Sequence, residues 1–146
     1  MAQAAKAATN KVSSLTGEPD LTSTLQRMHD EAGETASRCT QIAGEIDGKK
    51  TAILDKARET KAEATEMMKT YLGEDSDALD GFEFLTMAEA GEVGHWSVLG
   101  KLNERARRDD VRQLVDWALP IQERHFQAVL DGSLELAAQE DPNEPS

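Results

Sequence analysis

Apolar residues recur along this chain every three or four positions and nowhere alternate for long, so the spacing predicts helices and no strands. Leu21, Leu25, Met28, Ala32, Ala36, Cys39, Ile42, Ala43 and Ile46 share the face of a first helix. Asp20 or Thr22 can cap it, and Asp47-Gly48 stops it. A second helix, about Thr51 to Leu72, turns Ile53, Ala57, Thr60, Ala64, Met67, Met68 and Tyr71 inward. Gly73-Glu74-Asp75 breaks it. Ser76 or Asp77 caps a third helix reaching about Arg107, and Asp109 caps a fourth from about Val111 to Ala138. Pro120 lies inside the fourth and is expected to kink it. Four helices with short turns predict an all-α, up-down-up-down antiparallel four-helix bundle over residues 21–138. Residues 1–20 are small and polar and are expected to be a flexible lead, either disordered or a loose helix, ending in a turn at Thr16 to Asp20. Residues 139–146 hold two prolines and three acids and are expected to be a disordered acidic tail. The first two helices have thin, alanine-rich faces, whereas the last two hold both tryptophans and all three phenylalanines. The second half is therefore the expected stable half.

One stretch breaks the pattern. On the third helix Phe82, Leu85, Glu89, Glu92, Trp96 and Leu99 form a single stripe. A core-facing carboxylate without a partner costs several kcal/mol or takes up a proton. Two of them one turn apart also repel each other, and the usual relief is an arginine, a lysine or a metal ion. His95 follows Glu92 at Glu-x-x-His spacing. On the fourth helix Gln122 and His125 fall near the centre of the buried face, with Glu123 at its flank. Glu31-Ala32-Gly33-Glu34 on the first helix repeats Glu89-Ala90-Gly91-Glu92 letter for letter, but with Glu31 at the edge of the apolar stripe and Glu34 facing away. The candidate metal ligands are therefore Glu89, Glu92, His95, Glu123 and His125, with Glu31 as a further one. A neutral imidazole among carboxylates suits iron, manganese or zinc. The competing reading makes His125 a structural residue and gives Glu89 and Glu92 an arginine from among Arg105, Arg107, Arg108, Arg112 and Arg124.

Charge narrows the partners. The chain has 28 acidic against 16 basic residues, a net charge of −12, which argues against a broad basic face for nucleic acid or an anionic membrane. No run approaches the roughly 18 apolar residues of a membrane span. The single cysteine, Cys39, permits no internal disulfide and falls on the apolar face, where it reads as a core residue. A reducing, cytoplasmic setting is the expectation.

Over about Asp77 to Ala138 the sequence resembles the ferritin-like superfamily, in particular the bacterial stress-associated ferritin-like four-helix proteins. Glu89-x-x-Glu92 and Gln122-Glu123 look like the acidic motifs of that group. Glu92-x-x-His95 looks like the Glu-x-x-His of classical di-iron members. The resemblance implies a ferritin-like bundle, a di-iron or related centre, and ferroxidase or peroxide-linked chemistry in iron or oxidative-stress handling. The sequence departs from the full di-iron pattern: only one Glu-x-x-His is intact, and Gln122 stands where a glutamate is wanted. The site is then reduced or mononuclear, shared across a homodimer or higher homo-oligomer, or lost. In the last case the alternative is a non-catalytic helical bundle acting by protein–protein association.

Overall fold

The computed structural model describes residues 1–143 and is all-α, with five helices: α1 (Ala2–Ser13), α2 (Pro19–Gly44), α3 (Lys50–Tyr71), α4 (Ala78–Ala106) and α5 (Asp109–Ala137). Local signals explain the boundaries. Pro19 opens α2 at the first helical position, where its missing N–H costs nothing. Asp77 caps α4 in a reciprocal box: its side chain accepts from the Asp80 N–H at 3.0 Å while the Asp80 carboxylate accepts from the Asp77 N–H at 3.2 Å. The α4–α5 turn differs from expectation, since Arg108 and not Asp109 is the N-cap of α5. Asn103 does the work of the missing side-chain cap, donating to the Arg108 carbonyl at 2.8 Å and accepting from its N–H at 3.2 Å. Helix α5 runs on through Pro120.

Side-chain contacts fix the directions. Phe82 meets Gly132, Thr86 meets Ser133 and Gly100 meets Val115, so α4 and α5 form an antiparallel hairpin. Leu21 lies against Gly132 and Arg38 stacks over Trp117 at 4.0 Å, so α2 is antiparallel to α5 as well. Two glycines mark the closest approaches. A Cβ on Gly132 would stand 2.5 Å from the Phe82 ring, and one on Gly81 would stand 2.8 Å from Val12.

The largest departure from the sequence reading is an exchange between α1 and α3. Residues 2–13, expected to be a loose lead, form a helix that packs along α2 and buries Ala8, Thr9 and Val12. Residues 50–71 form the expected helix but bury nothing: Ile53, Met67 and Tyr71 are all exposed. Val12 of α1 fills the space over Gly81. Of the expected tail, residues 139–143 are turn and irregular chain after α5, and residues 144–146 lie outside the described residues. No helix among the described residues is long and apolar enough to cross a membrane.

The core is split in two. One apolar cluster holds Val12, Leu21, Leu25, Met28, Phe82, Leu85 and Val129. The other holds Trp96, Leu114, Val115 and Ala118, with Cys39, Ile42 and Trp117 against them. Along α2, α4 and α5 alike, large apolar side chains give way between the clusters to polar ones, Glu31 and Thr35, Glu89 and Glu92, Gln122 and His125, with only the small Ala32 among them on α2.

Two stability effects follow. Gly132→Ala forces the Phe82 ring to move and should cost about 1–3 kcal/mol in chemical denaturation. Arg107 ends α4 in the left-handed conformation at φ 54°, which a side chain adopts at a cost and glycine does not. Arg107→Gly should therefore stabilise the fold by roughly 1 kcal/mol in the same measurement.

Candidate functional site

The polar layer is built from three helices. Helix α4 places Glu89 and Glu92 one turn apart on its inward face, at 1% and 6% exposure. Helix α5 sets Gln122 and His125 opposite them, both buried. Helix α2 brings Glu31 to the rim. The side chains form a chain of contacts. The Gln122 amide donates to Glu89 Oε2. His125 Nδ1 lies 3.8 Å from that same oxygen, and His125 Nε2 lies 2.6 Å from Glu31 Oε2. The other Glu31 oxygen accepts from Arg124 at 2.6 Å, at the surface. Thr35 back-bonds to the Glu31 carbonyl at 2.9 Å and needs nothing more from the site.

Burial and charge set the protonation. Burial, reinforced by the neighbouring Glu92 charge, pushes Glu89 up to about 8, so its carboxyl holds a proton at neutral pH. Burial raises Glu92 too, against the pull of the N-terminal ammonium and of His95. Burial lowers His125 despite the pull of Glu31, which keeps the imidazole neutral. Burial works to raise Glu31, but the hydrogen bond and charge of His125, together with Arg124, outweigh it and hold Glu31 below its ordinary value. An ionised Glu31 needs a donor, so the neutral imidazole carries its proton on Nε2 and turns the lone pair of Nδ1 toward Glu89. The layer thus runs from a carboxylate at the rim, through a neutral imidazole, to a protonated carboxyl in the core.

Of the residues singled out in sequence, the structure brings together Glu31, Glu89 and His125, with Glu92 a turn away from Glu89. It does not bring in His95 or Glu123. His95 lies about 120° round the helix from Glu89; it is exposed, and its Nδ1 sits 2.8 Å from the carbonyl of Gly91 in its own helix. Glu123 is exposed as well, about 100° round from Gln122. The Glu92-x-x-His95 motif is therefore split between inside and outside. The repeat on α2 divides in the same way: Glu31 joins the layer, while Glu34 pairs with Arg38 on the surface at 2.6 Å. Both acids of α4 face the interior of their own chain.

The arginine alternative is answered by where the guanidinium groups go. Arg124 serves Glu31, Arg108 pairs with Asp110, and Arg112 pairs with Asp109 and Asp116. Among the described residues, no lysine or arginine forms an ion pair with Glu89 or Glu92. Sequence reasoning placed Arg124 among possible partners of Glu89 and Glu92 and did not see it as the outer anchor of Glu31. The pairing of an acid at one helix edge with a base at another leaves no local spacing to read.

In donor type, carboxylate oxygens and a neutral imidazole nitrogen, the layer suits a divalent transition metal. In arrangement it is not a ready cage. His125 divides the two carboxylates between its opposite ring nitrogens, and no group of three or more such side chains among the described residues converges on one point. Comparison of the chain with family models, curated proteins and solved structures gave no match.

Glu89 sets a pH signature. A carboxyl whose folded pKa is raised binds more protons folded than unfolded, so its stabilising contribution is complete below the ordinary value of 4.5 and is lost as pH rises toward about 8. His125 acts oppositely, but only below its ordinary 6.5, where the unfolded imidazole charges first. Glu89→Gln keeps the acceptor for Gln122 and removes the titration. The variant should match the parent near pH 5 and exceed it by about 1–3 kcal/mol above pH 8. Denaturation midpoints at the two pH values check this.

Proposed function

We propose that this chain binds a divalent transition-metal ion, iron by first choice, in the polar layer between α2, α4 and α5. The observation that carries the reading is a pair of buried carboxyls, Glu89 and Glu92, with which no lysine or arginine among the described residues is paired. A proton on Glu89 does at present what a cation would do in its place. Glu89, Glu92 and His125 are the ligands in this reading, with Glu31 as the outer one. Gln122 orients Glu89, and Arg124 holds Glu31 when His125 turns from it. The apolar clusters on either side limit water and leave the α2 rim as the way in. In the ferritin-like interpretation these helices form an antiparallel four-helix arrangement and the protein handles iron or oxidative stress. Bound iron would supply one-electron chemistry toward oxygen or peroxide, of the ferroxidase kind. Manganese and zinc fit the same donors.

Because Glu89 must lose its proton for a cation to bind, uptake should release protons, and affinity should climb as pH rises to about 8. Anaerobic titration with Fe(II), Mn(II) or Zn(II), followed by calorimetry in buffers of different ionisation enthalpy, reads both. Glu89→Gln and His125→Ala should weaken binding by about 100-fold or more, beyond the loss typical of an outer-shell partner. His95→Ala and Glu123→Ala should leave it unchanged. Saturating metal should also raise the melting temperature by mass action. Absence of a thermal shift with all three metals, or equal losses from the His95 and Glu89 variants, would overturn the proposal.

A further inference from the structure

Helix α4 has a second anomalous face, opposite the polar layer. Met87, Val98 and Leu102 stand 41%, 58% and 63% exposed. They lie on one stripe with Gly91 and Gly94, spaced four, three, four and four residues apart. That is the spacing of a helix seam that packs against another helix. No neighbouring element touches its centre: a Cβ at Gly91 or Gly94 would meet nothing within 4 Å. Gly81, Gly100 and Gly132 differ, since each accommodates a side chain of its own chain. Glycine weakens a helix interior relative to alanine, so two of them in the middle of an exposed face bring the fold no contact in return. They do leave room for another backbone to come close.

The charges at the two ends of the stripe identify the occupant. Glu83 lies one turn before Met87, and Arg105 lies just beyond Leu102. Both are exposed, and among the described residues neither takes part in an ion pair. The stripe is acidic at one end, basic at the other, and centred on Gly94. A second copy of α4 laid antiparallel across Gly94 brings Glu83 against the partner's Arg105 at both ends. It brings Met87 against the partner's Lys101 and Leu102, and sets Val98 over the opening at the partner's Ala90 and Gly91. A surface of this kind is complementary to itself about a two-fold axis. We propose that the chain forms a homodimer through antiparallel pairing of the outer face of α4.

This inference rests on the outer face of α4 alone and stands whether or not the polar layer binds metal. Sedimentation equilibrium of the full chain tests it. The parent should dimerise. Gly94→Glu, at an open surface position, should abolish the dimer while the monomer keeps its circular dichroism and melts no lower than the parent monomer. Glu83→Arg and Arg105→Glu should each weaken the dimer about tenfold or more, since symmetry turns two attractive pairs repulsive at once. The double variant should recover the parental dissociation constant at low salt. A parent that is monomeric throughout the accessible concentration range overturns the proposal. So does a dimer indifferent to Gly94→Glu. Loss in both single variants without recovery in the double also overturns it, because the antiparallel register restores opposite charges at both ends in the double variant.

Discussion

The structure is organised around a carboxyl that cannot afford to be ionised. Glu89 is 1% exposed and held among α2, α4 and α5 with an amide and an imidazole as its neighbours. An ionised group in that position costs several kcal/mol after relaxation. The surroundings answer in graded fashion. Gln122 offers a neutral donor, His125 stays neutral, and full charge appears only at Glu31, where the side chain reaches 24% exposure and Arg124 meets it. Charge is thus moved outward along the layer until water can share it. A purely structural polar layer would more simply contain asparagine, glutamine or threonine. Three acids and a histidine are a costlier choice, and that cost is what the proposed cation would offset.

The layer also explains why the core comes in two parts. On each of α2, α4 and α5 the apolar run is interrupted at the same height, with large side chains such as Phe82 and Leu25 on one side and Trp96 and Leu114 on the other. The interruption costs burial in every helix that takes part. Helix α1 recovers some of it by laying Ala8 and Val12 over the first cluster. Helix α3 contributes almost none, touching the body through partly buried Met68 and through Tyr71, whose ring tilts against Phe84 at 6.0 Å.

Much of this was legible in the chain. Periodicity located four of the five helices to within a few residues because their apolar stripes are long. It also marked Glu89, Glu92, Gln122 and His125 as inward-facing, because a carboxylate inside a stripe is a local conflict that spacing exposes. What spacing could not decide was competition. Helices α1 and α3 both present alanine-rich faces, and which one packs depends on Val12 fitting over Gly81 across a long loop of sequence. Spacing did separate Glu31, at an edge, from Glu34, facing away, but it could not tell whether Glu31 or His95, each at an edge, turns in or out. At an edge, a rotation of a few tens of degrees separates a side chain in the core from one in water.

Helix α4 is where these strands meet. Its inward face carries Phe82, Leu85, Glu89, Glu92 and Trp96, and its outward face carries Met87, Gly91, Gly94, Val98 and Leu102. The two faces make opposite demands. The inner one needs a rigid helix to hold two acids at a fixed height, yet the outer one places two glycines, the residues least suited to rigidity, alongside those acids. Gly91 immediately precedes Glu92, and Gly94 follows it two residues on. A second helix packed across them would restore the stiffness that the glycines remove, and would do so at the height of the polar layer. Association on the outside and order on the inside would then depend on the same turn of α4.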